Sequence, residues 1–166
     1  MFSQELLDRA GPILDLCRAR QIMLATAESC TGGLVAALLT EVAGSSDVVD
    51  RGLVTYSNEA KMDLLGVPAA VLEEFGAVSR QTAEAMAAGA LARSRAQVTI
   101  AITGIAGPGG GTAEKPVGLV HFAAAHSSAV IHVERRFGPL SRGAIRLASV
   151  KQALDLIEQS LTGRSA

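Results

Sequence analysis

The sequence predicts an α/β fold, a three-layer α/β/α sandwich with helices on both faces of a mixed β-sheet. Three observations predict it. Short apolar runs alternate with stripes of three- and four-residue spacing through the first two-thirds of the chain. Two β-rich runs then follow one another directly, as in a hairpin. The chain ends on its clearest helical stripe.

Taken in order, Leu6, Leu7, Ala10, Ile13, Leu14 and Cys17 mark a first helix, which Gly11 and Pro12 are expected to interrupt or kink. Ile22 to Ala27 reads as a buried strand. A polar segment, Glu28-Ser29-Cys30-Thr31-Gly32-Gly33, leads into a helix striped by Leu34, Leu38, Leu39 and Val42 and closed by Gly44-Ser45-Ser46. Val48 to Tyr56 is a second strand with a break expected near Gly52. Ser57-Asn58 caps a short helix ending at Gly66, with Pro68 beyond. Val78-Ser79 introduces a helix through Met86, Ala87, Ala90 and Leu91. Val98 to Thr103 is a strand that runs into a glycine-rich loop, Gly104 to Gly111. Val117 to Ala125 and Ala129 to Phe137 form the hairpin around Ser127-Ser128. Leu147, Val150, Leu154, Ile157 and Leu161 stripe the last helix, after which Thr162 to Ala166 is expected to fray.

Composition narrows the functional classes. A hydrophobic fraction of 49% with 19% charged residues belongs to a folding chain, and 166 residues suit one domain, 1–166. With aromatics at 3%, the core should be small-residue packing of helices on a sheet. A net charge of −1 lacks the basic excess of nucleic-acid binders, so no nucleic-acid partner is expected. No apolar run approaches the roughly 20 residues that span a bilayer, and the N-terminus lacks a signal-peptide pattern, so a cytoplasmic location without membrane contact is expected. Cys17 and Cys30 make neither a disulfide framework nor a metal cluster and read as buried small side chains. His121, His126 and His132 lack ligand spacing, so neither metal nor cofactor is expected.

Three segments can carry chemistry at strand ends, where α/β folds gather ligands. In the first, Ser29 lies between a strand and a helix, near free N–H groups and the positive end of a helix dipole. It can act as a nucleophile with those donors steadying an oxyanion, or Ser29 or Thr31 can simply cap the helix. In the second, Tyr56-Ser57-Asn58-Glu59-Ala60-Lys61, Lys61 can serve as the base if burial or a neighbouring cation lowers its pKa, helped by its place early in a helix. Otherwise it is a solvated helix residue. No histidine supports a serine–histidine–acid triad. In the third, Thr103 to Gly111, consecutive glycines can nest an anion or merely connect. Arg142 and Arg146 share one helix face and can grip a phosphate or stay solvated.

Together these segments resemble the C-terminal domain of the CinA (competence/damage-inducible) proteins, whose stand-alone members are nicotinamide-nucleotide amidases. The stretches that carry the resemblance are Ala27-Glu28-Ser29-Cys30-Thr31-Gly32-Gly33, Thr55-Tyr56-Ser57-Asn58-Glu59-Ala60-Lys61 and Gly76-Ala77-Val78-Ser79. They continue with Thr103 to Thr112 and Glu114-Lys115-Pro116-Val117-Gly118, in order and spacing from about Leu6 to Leu161. The resemblance implies a three-layer α/β/α fold, hydrolysis of nicotinamide mononucleotide to nicotinate mononucleotide and ammonia, and self-association into a homo-oligomer. It implies Ser29 as nucleophile, with Lys61 and Tyr56 handling protons. It further implies substrate contacts from Thr31, Gly32, Gly33, Asn58, Thr103, Gly104, Gly107, Gly109, Gly110, Arg142 and Arg146. The chain departs from the family's Gly-Asp-Arg-x-x-Ile-Arg pattern, with Ser141 in place of the acid after Gly138-Pro139-Leu140. Many members also carry a larger N-terminal domain acting on nucleotide pyrophosphates; in 166 residues that domain and its activity are expected to be absent. Two other classes fit the same family: a non-catalytic nucleotide-binding module, and a scaffold tied to DNA uptake or damage.

Overall fold

The computed structural model describes residues 2–126 and 129–163. The elements run α1 (Gln4–Ala19), β1 (Leu24–Glu28), α2 (Leu34–Glu41), β2 (Val49–Val54), α3 (Asn58–Leu65), α4 (Ala69–Phe75) and α5 (Arg80–Ala92). They continue with β3 (Val98–Gly104), β4 (Leu119–His126), β5 (Ala129–Arg136) and α6 (Arg142–Thr162). The five strands form one mixed sheet in the order β2-β1-β3-β4-β5. β1 runs parallel to both β2 and β3, whereas β3–β4 and β4–β5 are antiparallel.

Strand alternation sorts the side chains between two cores. Leu24, Ile100, Ile102, Val120 and Phe122 face α1, α2 and α6, and pack with Leu14, Leu38, Leu39, Ile145 and Leu154. Ala27, Ala101, Ala123 and Ala125 face α3, α4 and α5, and pack with Leu65, Leu72, Met86 and Ala90. The second core is alanine against alanine, so the helices on that face lie close to the strands. Gly89 of α5 is one consequence: a Cβ there would overlap the Leu65 carbonyl at the end of α3.

Several local expectations are corrected. Gly11 and Pro12 do not break α1, which is continuous through both. Pro12 removes a donor from the ladder, and Asp8, one turn before it, is exposed, so its carbonyl can turn to water. Gly52 does not interrupt β2. It makes room for α2 instead, since a Cβ there would lie 2.6 Å from the Ala36 Cβ. The pairing irregularity falls between Leu24 and Ala25 of β1. Leu147, read as part of the last apolar stripe, is 43% exposed. Pro68, which reads as a stop after α3, is the N-cap of a further helix, α4. Ser127-Ser128 of the hairpin and residues 164–166 of the C-terminal segment lie outside the described residues.

The order β2-β1-β3 creates the place for a site. From β1 the chain crosses one face through α2 to reach β2, then crosses the other face through α3, α4 and α5 to reach β3. The two connections leave in opposite directions, and a crevice opens at the carboxyl ends of β1 and β3.

Candidate active site

Ser29 is the first residue after β1. Its N–H donates to Ile102 O on β3 (2.9 Å), and its carbonyl accepts the Gly32 N–H (3.0 Å). These bonds hold the turn in front of α2. The pleat sends Ser29 to the face of α3 and α5, opposite Glu28.

Lys61 approaches from the start of α3. Ser57 caps that helix, accepting the Ala60 N–H at 3.0 Å, and this sets the helix direction. The Lys61 side chain turns inward and is 1% exposed. Its Nζ donates to the Thr55 carbonyl (2.9 Å) and lies 3.1 Å from Ser29 Oγ. As an ammonium it donates to that hydroxyl; as a neutral amine it accepts the hydroxyl proton. Burial holds the Lys61 ammonium below the usual lysine range, because desolvation penalises the charge. No carboxylate pairs with it among the described residues. Of the causes offered from sequence, burial is the dominant one, and no neighbouring cation contributes.

The start of α2 differs from the sequence expectation. Its N-cap is Gly33, in the left-handed region at φ 92°, and neither Ser29 nor Thr31 caps it. The cap comes from Glu28, which is fully buried on the opposite face of β1. Its two carboxylate oxygens accept the N–H groups of Gly33 (3.1 Å), Val35 (3.1 Å) and Ala36 (2.8 Å), together with the Thr26 hydroxyl (3.0 Å). The helix donors that sequence assigned to an oxyanion are thus already taken. In the turn itself, the N–H groups of Cys30 and Thr31 donate to no other residue among those described.

Ser29 and Lys61 open into a cavity of about 210 Å³, lined also by Cys30, Tyr56, Ala77, Val78, Thr103, Gly104, Ala106 and Arg142. The Thr103 hydroxyl donates to Ala77 O (2.6 Å) and fixes one wall. At the mouth, Arg142 donates from Nη1 to Gly107 O and from Nη2 to Tyr56 Oη, both at 2.8 Å. Ser141, at the position of the family's acid, caps α6 by accepting the Ala144 N–H (3.3 Å), so the altered approach still delivers Arg142 to the cavity. Lys61 and Arg142 are the charged side chains of the lining, and no carboxylate joins them, so the cavity favours an anionic ligand.

The structure therefore brings Ser29, Lys61, Tyr56, Thr103, Gly104 and Arg142 to one cavity. Thr31 is fully buried beneath the turn. Arg146 donates from Nη2 to Thr31 O (2.8 Å), where it braces the turn outside the lining. Gly107 meets the site through its carbonyl. Gly32, Gly33, Asn58, Gly109 and Gly110 do not line the cavity. Sequence reasoning missed Cys30, Ala77, Val78 and Ala106 as lining residues, because small apolar side chains carry no chemical signal. Their proximity in sequence to Ser29, Ser79 and Thr103 was the available clue.

Both cysteines are buried, with the Cys30 thiol pushed up to about 12 and Cys17 up to about 11 by desolvation. Each therefore stays protonated. His121 Nδ1 lies 3.0 Å from His132 Nε2 on the α5 face, and burial holds both imidazoles below the ordinary histidine range. Among the described residues, no group of His, Cys, Asp and Glu side chains converges to hold a metal ion. No helix among them is long and apolar enough to cross a membrane.

A buried serine–lysine pair at the switch point of an α/β/α sandwich defines the class, and comparison supplies the family. A family model described as "CinA C-terminal domain" matches residues 8–161, and the chain belongs to that family. A protein from Caldicellulosiruptor bescii named "Putative competence-damage inducible protein" is 48% identical over 149 residues, which is 90% of this chain and 36% of that protein. A "CinA-like protein" from Synechococcus sp. is 49% identical over 153 residues, 92% of this chain and 37% of its own. The chain thus spans little more than a third of these relatives. Among solved structures, the competence/damage inducible protein CihA from Agrobacterium tumefaciens superposes with a TM-score of 0.94 at 55% identity, covering 97% of this chain and 98% of its own. A CinA superfamily protein from Klebsiella pneumoniae gives 0.91 at 34% identity, over 97% and 100%.

Proposed function

We propose that the chain is a nicotinamide-nucleotide amidase, hydrolysing nicotinamide mononucleotide to nicotinate mononucleotide and ammonia through Ser29 and Lys61. The observation that carries it is the buried amine 3.1 Å from a serine hydroxyl inside a cavity. A serine needs a base within hydrogen-bond reach, and a desolvated lysine provides one.

Neutral Lys61 Nζ takes the proton as Ser29 Oγ bonds to the carboxamide carbon, and the carbonyl oxygen takes the negative charge. The turn N–H groups of Cys30 and Thr31, which donate to no other residue among those described, are assigned as the donors to that oxyanion. The carbonyl reforms, the C–N bond breaks, and the leaving nitrogen gains a proton from Lys61 and departs as ammonia. Water then attacks the acyl-enzyme, giving its proton to Lys61. Ser29 leaves with that proton and nicotinate mononucleotide is released. Arg142, at the cavity mouth, suits the phosphate, with Tyr56 orienting its guanidinium.

Ammonia release from nicotinamide mononucleotide by the purified protein tests the proposal. Turnover lost on substituting Ser29 supports it. Nucleotide binding without ammonia release would make the chain a binding module instead.

A further inference from the structure

We infer that Glu28 is a positioning residue for Ser29, its buried carboxylate setting the turn that carries the nucleophile. The inference rests on the serine chemistry proposed above and concerns a residue that this chemistry does not touch. Glu28 has no exposure, and its oxygens bond neither Ser29 nor Lys61. Oε1 accepts from Thr26 Oγ1 and the Ala36 N–H, and Oε2 accepts from the Gly33 and Val35 N–H groups. Four donors engage the two oxygens, so the side chain is fully committed to β1 and α2.

An ordinary cap sits at the helix's own N-cap position. Here that position is a glycine, and the cap is supplied by the strand residue immediately before Ser29. The difference has a geometric result. The Glu28 backbone ends β1, its carbonyl accepts the N–H of Thr55, just past β2, at 2.8 Å, and its side chain grips the first turn of α2. Ser29 is enclosed within that loop, with both ends fixed by one residue. The carboxylate also offsets the positive end of α2, so the helix exerts little pull on charge developing at Ser29. Glu28 thereby trades electrostatic help from the helix for a fixed Oγ.

Glu28→Gln tests the inference, since it keeps the size but turns an NH₂ toward donors that need an acceptor. The expected result is a fall in kcat of about 100-fold, the scale of an ångström misplacement, with KM for nicotinamide mononucleotide little changed. The labelling rate of Ser29 by a fluorophosphonate probe should fall in parallel, while the pH midpoint of activity stays in place. A lower melting temperature with an unchanged kcat and labelling rate would mean a purely structural cap and would overturn the inference. If Glu28→Gln does not fold, Thr26→Val decides. Losing one donor to the carboxylate should slow kcat and labelling by about fivefold, and wild-type rates there overturn the inference. Wild-type labelling without nucleotide turnover removes only the proposed substrate, and the labelling rates still judge Glu28. Absence of both turnover and labelling in the wild type removes Ser29 as a nucleophile, and the inference with it.

Discussion

Lys61 Nζ lies 3.1 Å from Ser29 Oγ, with the Thr55 carbonyl holding the same nitrogen from the other side at 2.9 Å. Substituting either residue of the pair separates chemistry from folding. Ser29→Ala is expected to reduce ammonia release by on the order of 10³-fold or more, with nucleotide affinity and melting temperature nearly unchanged. Calorimetric titration beside a turnover assay checks it, and a variant with wild-type turnover excludes covalent catalysis by Ser29.

Lys61→Met should remove turnover as completely while leaving the protein as stable or more stable at neutral pH. The wild type buries a charge with no carboxylate partner, and a thioether of similar length has none to bury. The pH dependence follows from the direction of the shift. Because the folded-state pKa is lowered, the native protein binds its proton less tightly than the unfolded chain does. The cost is therefore fully present below the folded value and is relieved as pH rises toward about 10.4, the unfolded lysine value. Melting curves across pH should show the stability gap between variant and wild type narrowing with alkalinity.

Activity should follow the same group. Turnover is expected to rise with pH through the depressed Lys61 pKa and level off below the ordinary lysine range, since only the neutral amine can accept the Ser29 proton. A midpoint at or above that range would contradict a desolvated base.

Cys30 lines the cavity beside Ser29 yet stays a thiol, its pKa pushed up to about 12. Cys30→Ala should keep turnover within several-fold, and a thiol reagent at pH 8 should leave both cysteines unmodified until the protein is unfolded. Rapid loss of activity on thiol alkylation of the native protein would point to sulfur chemistry instead.

Gly89→Ala should destabilise by about 1–3 kcal/mol despite the better intrinsic helix propensity of alanine, because the new methyl meets the Leu65 carbonyl. As Leu65 ends the helix that delivers Lys61, turnover of the folded fraction should fall too. A gain in melting temperature would show that α3 and α5 can part without strain.

Much of the framework was legible because it is written locally. Ser57 and Ser79 announce α3 and α5 by the caps they form, and the stripe from Val150 to Leu161 fixes the buried face of α6. Strand order was not legible, since nothing within β1 says that β2 and β3 will flank it. The Ser29–Lys61 pair was named from motifs, but the burial that matters to its chemistry comes from packing by other segments. The Arg142–Tyr56 bond, between residues 86 apart in sequence, left no local trace. The role of Glu28 was hidden for a different reason. Capping rules look at the residue beside a helix, and here the carboxylate reaches from a strand to amides that begin five residues on.

Neighbouring residues at the tip of β1 look out on different halves of the molecule, Glu28 toward α2 and Ser29 toward α3. A single insertion or deletion in β1 would exchange them, placing the acid against Lys61 and the hydroxyl against unsatisfied amides. That strand should therefore tolerate changes of side chain far better than any change of length.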